Sequence, residues 1–172
     1  MKRKVEAVVL GVHQIKQVMY GFDRLEQIAD ETQHGSPMHA FYMNAIYDRL
    51  AAMFLLDADG KATGGLFSRV YQPLGLGGCL DEIHSVFGRD IGGLSLGETI
   101  RRFRNRFLTH GELSDSDLDK IYNDVDMLDP MTSGKFLDGL HAIRAALPRL
   151  AIGLCMDGGV DPSDVGITRS GA

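Results

Sequence analysis

The sequence predicts an all-α fold, a helical bundle of about five to six helices. Apolar residues recur at spacings of three and four through most of its 172 residues, the period of one face of a helix. Serine and aspartate caps stand where those periodic segments begin. No segment alternates apolar and polar residues as a half-buried strand does. The composition, 44% hydrophobic and 24% charged, is that of a globular domain with a core; it excludes a disordered, collagen-like or coiled-coil chain.

The first helix is predicted over Lys4 to Glu31. Its stripe is Val5, Val8, Val9, Val12, Ile15, Val18, Met19, Phe22, Leu25 and Ile28. Ser36 as cap and Pro37 at the first helical position open a second helix. It runs to about Asp57 and carries Phe41, Ala45, Ile46, Leu50, Met53 and Phe54. Six glycines and Pro73 between Asp59 and Gly78 read as a long loop with at most one short element, around Leu66 to Tyr71. A short helix follows from Leu80 to Phe87.

Ser95 and Glu98 have the spacing of a capping box and open a fourth helix, about Leu96 to Leu108. Ser114 and Asp117 open a fifth, with Leu118, Ile121, Val125 and Leu128, broken at Asp129-Pro130. The sixth begins near Gly134, carries Phe136, Leu137, Leu140, Ile143 and Leu147, and is expected to end or kink at Pro148. The stretch 157–172 is rich in Gly and Asp and is expected to be a flexible tail, leaving one helical-bundle domain over 1–156.

The net charge of −5 gives the chain no overall basic field to attract nucleic acid. The average conceals an asymmetry. Arg101, Arg102, Arg104 and Arg106 crowd between Thr99 and His110 without an acid, whereas Gly111 to Asp129 holds seven acids and one lysine. Charge compensation within the bundle explains this; so does a local anion site. No apolar run approaches the roughly 18 residues of a membrane helix, and the N-terminus lacks a signal-peptide pattern. Cys79 and Cys155 stand far apart; two thiols in a cytoplasmic protein is the expected reading, with one disulfide as the alternative.

The fourth helix carries the chemistry. With Ile100 at zero, Leu96 falls at about 320°, Phe103 at about 300° and Phe107 at about 340°. Arg102, Asn105 and Arg106 lie well off this stripe, but Arg104, at about 40°, sits on its shoulder between Ile100 and Leu108. An arginine there either covers apolar surface with its stem or holds a half-buried guanidinium, which needs a partner such as phosphate. His110, at the predicted helix end, carries an imidazole, the side-chain type suited to proton transfer near neutral pH. Arg104, Asn105 and His110 together suffice for RNA cleavage without metal: a base for the ribose 2′-OH and a guanidinium for the charge that develops on phosphate.

The run Arg104-Asn105-Arg106-Phe107-Leu108-Thr109-His110-Gly111 resembles the signature of the HEPN superfamily, an Arg, often followed by Asn or another polar residue, then a His after four to six intervening positions; here five residues intervene. The resemblance implies a small α-helical bundle. It also implies metal-independent ribonuclease activity in toxin–antitoxin or other defence systems, or an RNA-binding or protein-interaction module that has lost catalysis. It further implies a homodimer whose interface gathers Arg and His from both protomers, with RNA and an antitoxin protein as partners. On this reading Arg104, His110 and Asn105 are catalytic, and Arg101, Arg102 and Arg106 bind RNA. No cofactor or metal is expected. The subgroup paired with nucleotidyltransferase antitoxins carries a Tyr two residues after the His, where this chain has Glu112.

A metal-binding helical bundle is the competing reading. Glu31/His34, Asp81/His84 and Asp138/His141 share an acid-x-x-His spacing of the kind used by di-metal carboxylate bundles, yet two of the acids are the shorter Asp and the first pair sits at a helix end. Phosphate loops of Walker type are absent from the sequence.

Overall fold

The computed structural model describes residues 2–31, 37–57, 59–105 and 134–167. They form an all-α bundle: α1 (Lys2–Glu31), α2 (Pro37–Leu50), α3 (Leu80–Phe87), α4 (Leu96–Phe103) and α5 (Gly134–Gly158). Among the described residues there is no strand, only an isolated bridge between Asp90 and Ser95. No described helix is long and apolar enough to cross a membrane. The helix predicted around Leu118 to Leu128 lies outside the described residues.

α1 packs along α2 and α5, and α3 packs on α5. The α1 stripe buries Val8, Val12, Ile15, Val18 and Phe22, but Val5 and Val9 are exposed, so the stripe is narrower at the N-terminal end than the sequence predicts. In α2 the buried residues are Ile46, Tyr47 and Leu50; Phe41, expected inward, is 63% exposed and meets Tyr42 edge-on. The pattern predicted to carry the second helix to Asp57 is completed by a π-helical turn, Ala51–Leu55. That wider turn places Ala51, Met53 and Phe54 all inside. Phe54 stacks on Phe67 at 4.9 Å and Phe67 on Tyr71 at 4.3 Å, an aromatic ladder that anchors the glycine-rich segment to the core. Its one predicted element is a second π-helical turn, Phe67–Tyr71, running into a 3-10 turn at Gln72–Leu74.

Gly65 explains how that segment can lie so close. Its φ is +68°, and a Cβ there would stand 2.7 Å from backbone atoms of Met53 and Phe54. Only glycine fits both the left-handed conformation and the backbone-to-backbone approach.

Two expectations are revised. Pro148 does not end the last helix: α5 passes through it to Gly158. Leu147, Leu150, Ala151 and Leu154 are buried on both sides of the proline, and that packing outweighs the lost backbone hydrogen bond. The stretch from Asp157, expected to be a flexible tail, folds back as far as Ile167. Asp161 caps a 3-10 turn at Pro162–Val165, its side chain accepting from the Ser163 N–H. Val160, Val165 and Ile167 pack on the core, and Lys16 Nζ donates to the carbonyls of Val165 and Gly166 at 3.2 Å each. The packed domain therefore extends beyond residue 156.

Candidate active site

α4 begins as predicted. The Ser95 side chain accepts from the Glu98 N–H at 3.1 Å. The other half of a capping box is replaced: the Glu98 carboxylate turns forward and accepts from Arg101 Nε and Arg102 Nε, each at 2.8 Å, as well as from Arg101 Nη2. The Arg101 guanidinium, aided by Arg102, holds the Glu98 carboxyl below its ordinary range against the opposing effect of burial, and the same bond raises Arg101.

Leu96, Thr99 and Ile100 of α4 are buried, and Phe103 meets Tyr47 of α2 edge-on at 4.9 Å. Burial pushes the Tyr47 phenol well above its ordinary value, so it stays a neutral wall of the α2–α4 contact. The stripe thus has the phase the sequence predicts. Arg104 follows on its shoulder, with its side chain 24% exposed.

Arg104 Nε donates to Asp48 Oδ1 of α2 at 3.0 Å, and Nη1 to Asn105 Oδ1 at 3.3 Å. The fork is therefore oriented from two directions, by a residue on another helix and by its own neighbour. A loop edge lies beside it. Asp57 Oδ1 accepts from the backbone N–H groups of Asp59 and Lys61, at 3.0 and 2.7 Å; these bonds, the Lys61 one above all, lower the Asp57 carboxyl. The turn so formed carries Gly60, where a Cβ would come within 4.0 Å of Arg104 Nη1.

Of the predicted site residues, Arg104 and Asn105 are brought together. His110 and Arg106 lie outside the described residues. Arg101 and Arg102, expected to be solvated groups facing RNA, are both tied to Glu98, and the Arg101 side chain is 24% exposed, as buried as Arg104. Shoulder position alone does not single out Arg104. What distinguishes it is that its carboxylate comes from across the bundle, whereas Arg101 is served within its own helix three residues back. Sequence reasoning missed Asp48, because nothing local marks an acid as the partner of a residue 56 positions away.

Other reactive groups are placed as structural ones. Cys79 and Cys155 are free thiols, and burial raises Cys79 to about 11, so it is no activated nucleophile at neutral pH. Among the described residues no group of three or more His, Cys, Asp or Glu side chains is arranged to hold a metal ion; the Glu31 side chain and His34 lie outside them. Comparison with protein-family models, curated proteins and solved structures found no match.

Proposed function

We propose that this chain is a metal-independent endoribonuclease of the HEPN type, acting as a homodimer in a toxin or defence system. The observation that carries the reading is the half-buried Arg104 guanidinium, fixed by Asp48 of α2 and by Asn105 at the close of α4. A planar fork held in one orientation suits bidentate contact with phosphate. In the proposed reaction His110, as neutral imidazole, takes the 2′-OH proton of the ribose. The 2′-oxygen attacks the adjacent phosphorus while Arg104 stabilises the developing charge. The 5′-oxygen leaves with a proton from an imidazolium, giving a 2′,3′-cyclic phosphate and a 5′-OH. In a two-fold dimer the second copy of the motif supplies that acid.

The test is cleavage of total RNA by purified protein in EDTA. Wild type is expected to cut; Arg104→Ala and His110→Ala are expected to abolish cutting while remaining folded. Arg104→Lys fails as well, because a point ammonium does not reproduce the fork. Cleavage that EDTA removes, or that survives Arg104→Ala, overturns the proposal. The Asp48 pairing also favours a second reading, an RNA-binding module without catalysis in which Asp48 keeps the guanidinium charge balanced. Binding of RNA with no cleavage of any substrate selects it.

A further inference from the structure

On α2, Phe41 is 63% exposed, and Met38, one turn earlier, is 51% exposed. A single apolar side chain at the surface is ordinary; the position of this one is not. Phe41 stands seven residues before Asp48, so the two share one face of α2, two turns and about 10 Å apart. Asp48 is the residue that accepts from Arg104 Nε at 3.0 Å. The face therefore runs from an uncovered aromatic ring to the oriented guanidinium. Asn44 and the exposed Ala45 occupy the turn between them, so no large side chain of α2 interrupts the path. The Asp48 carboxylate at its far end is already matched by Arg104. Tyr42 meets Phe41 edge-on, with ring centroids 5.5 Å apart, a contact that restrains the ring while most of it stays in solvent.

We infer that Phe41 stacks on a base of single-stranded RNA while Arg104 holds a nearby phosphate of the same strand. A polynucleotide alternates anionic phosphates with flat bases, and this face offers a guanidinium and then an aromatic ring. Unpaired bases are splayed onto aromatic side chains in this way, and every base has a π-face to offer. A second copy of the chain fits the patch less well. Phe41 leaves on the order of 100 Å² uncovered, and even with Met38 the patch falls well short of the roughly 800 Å² per partner of a stable interface. It matches one heterocycle. The inference rests on the nuclease reading for its substrate. Phe41 binds the strand at a distance from the reacting atoms and takes no part in the chemistry.

The experiment is a fluorescence titration. The chain has no Trp, so Phe41→Trp supplies a single reporter that keeps a stacking face. A 2′-O-methyl oligoribonucleotide, which lacks the attacking hydroxyl, is expected to bind and to quench it. Inorganic polyphosphate, an anion without bases, is expected to leave it unquenched. Tyr20→Trp places the reporter on α1 at another exposed aromatic, 59% exposed, and is expected to show no quenching by the oligonucleotide. Phe41→Ala is expected to weaken oligonucleotide binding about fivefold to 150-fold, the cost of one lost base stack, whereas Phe41→Trp keeps wild-type affinity. Unchanged affinity in Phe41→Ala overturns the inference, as does a Phe41→Trp signal that saturating oligonucleotide leaves unaltered, or quenching that Tyr20→Trp shows equally. A Phe41→Trp signal that changes with protein concentration in the absence of RNA also overturns it, and assigns the face to a second copy of the chain. Stacking without cleavage of any RNA keeps the Phe41 assignment and removes the nuclease reading; cleavage without stacking does the reverse.

Discussion

Replacing Asp48 by Asn tests what holds the Arg104 fork. The pair joins Arg104 Nε to Asp48 Oδ1 at 3.0 Å, with side-chain exposures of 24% and 48%. Two unit charges about 4 Å apart attract by about 4 kcal/mol at an effective dielectric near 20. Water reaches the half-exposed carboxylate and both ends have lost hydration, so the net value falls to the upper end measured for exposed pairs, about 1 kcal/mol. For a domain of this size that is a fall in Tm of roughly 2–4 °C, shrinking as salt rises. Turnover should fall further than stability. Displacement of a reacting group by about 1 Å costs up to about 100-fold, and a fork that keeps Asn105 but loses Asp48 should drop kcat by about tenfold. KM should stay level or fall, because the guanidinium no longer shares its charge. The assay is initial-rate cleavage of a fluorogenic RNA, with unfolding followed by circular dichroism at two salt concentrations. If Asp48→Asn leaves both Tm and kcat at wild-type values, Asp48 is a bystander and the fork is held by other means. If kcat rises, Asp48 restrains the site rather than orienting it.

Glu98 has its carboxyl lowered from the ordinary 4.5, so its stabilising effect is full above that value and is lost as pH falls through the depressed one. Glu98→Gln should therefore flatten the loss of Tm between pH 5 and pH 3, and an unchanged acid profile would refute this. Gly65→Ala should destabilise by roughly 2–4 kcal/mol, since it adds both left-handed strain and a backbone clash; a denaturant midpoint within error of wild type would show that the segment can lift off the π turn. Cys79, with its thiol raised to about 11, should react with a disulfide reagent at pH 8 at least about tenfold more slowly than free cysteine. Modification as fast as the free amino acid would place it outside the packed region.

The all-α class was legible because helices bury one face with a period that is local in sequence. Val8, Val12, Ile15 and Val18 announce α1 by spacing alone, and the short helix expected from about Leu80 to Phe87 is present. Ser95 marked the start of α4, and the angular position of Ile100 and Phe103 placed Arg104 on the shoulder of the stripe. Spacing was silent wherever a long-range contact chose between local options. Phe41 has a core residue's chemistry, yet among the described residues no element covers it and it is exposed. Pro148 is a helix breaker by its own chemistry, but apolar residues on both sides are buried and the helix continues. Residues 157–167 look like a tail in composition, but Val160, Val165 and Ile167 find apolar surface that exists only once α1 and α5 have packed. The partner of Arg104 was hidden for the same reason: Asp48 lies 56 positions away. Only the packing of α2 against α4, through Tyr47 and Phe103, sets that carboxylate beside the guanidinium. His84 entered the sequence reading through a metal-type spacing with Asp81. In the fold the residue lines a cavity assembled from segments distant in the chain, with Nε2 buried and without a hydrogen-bond partner. Periodicity records which face of an element turns inward; which elements meet there, and which polar groups are left facing one another, depends on the folded arrangement.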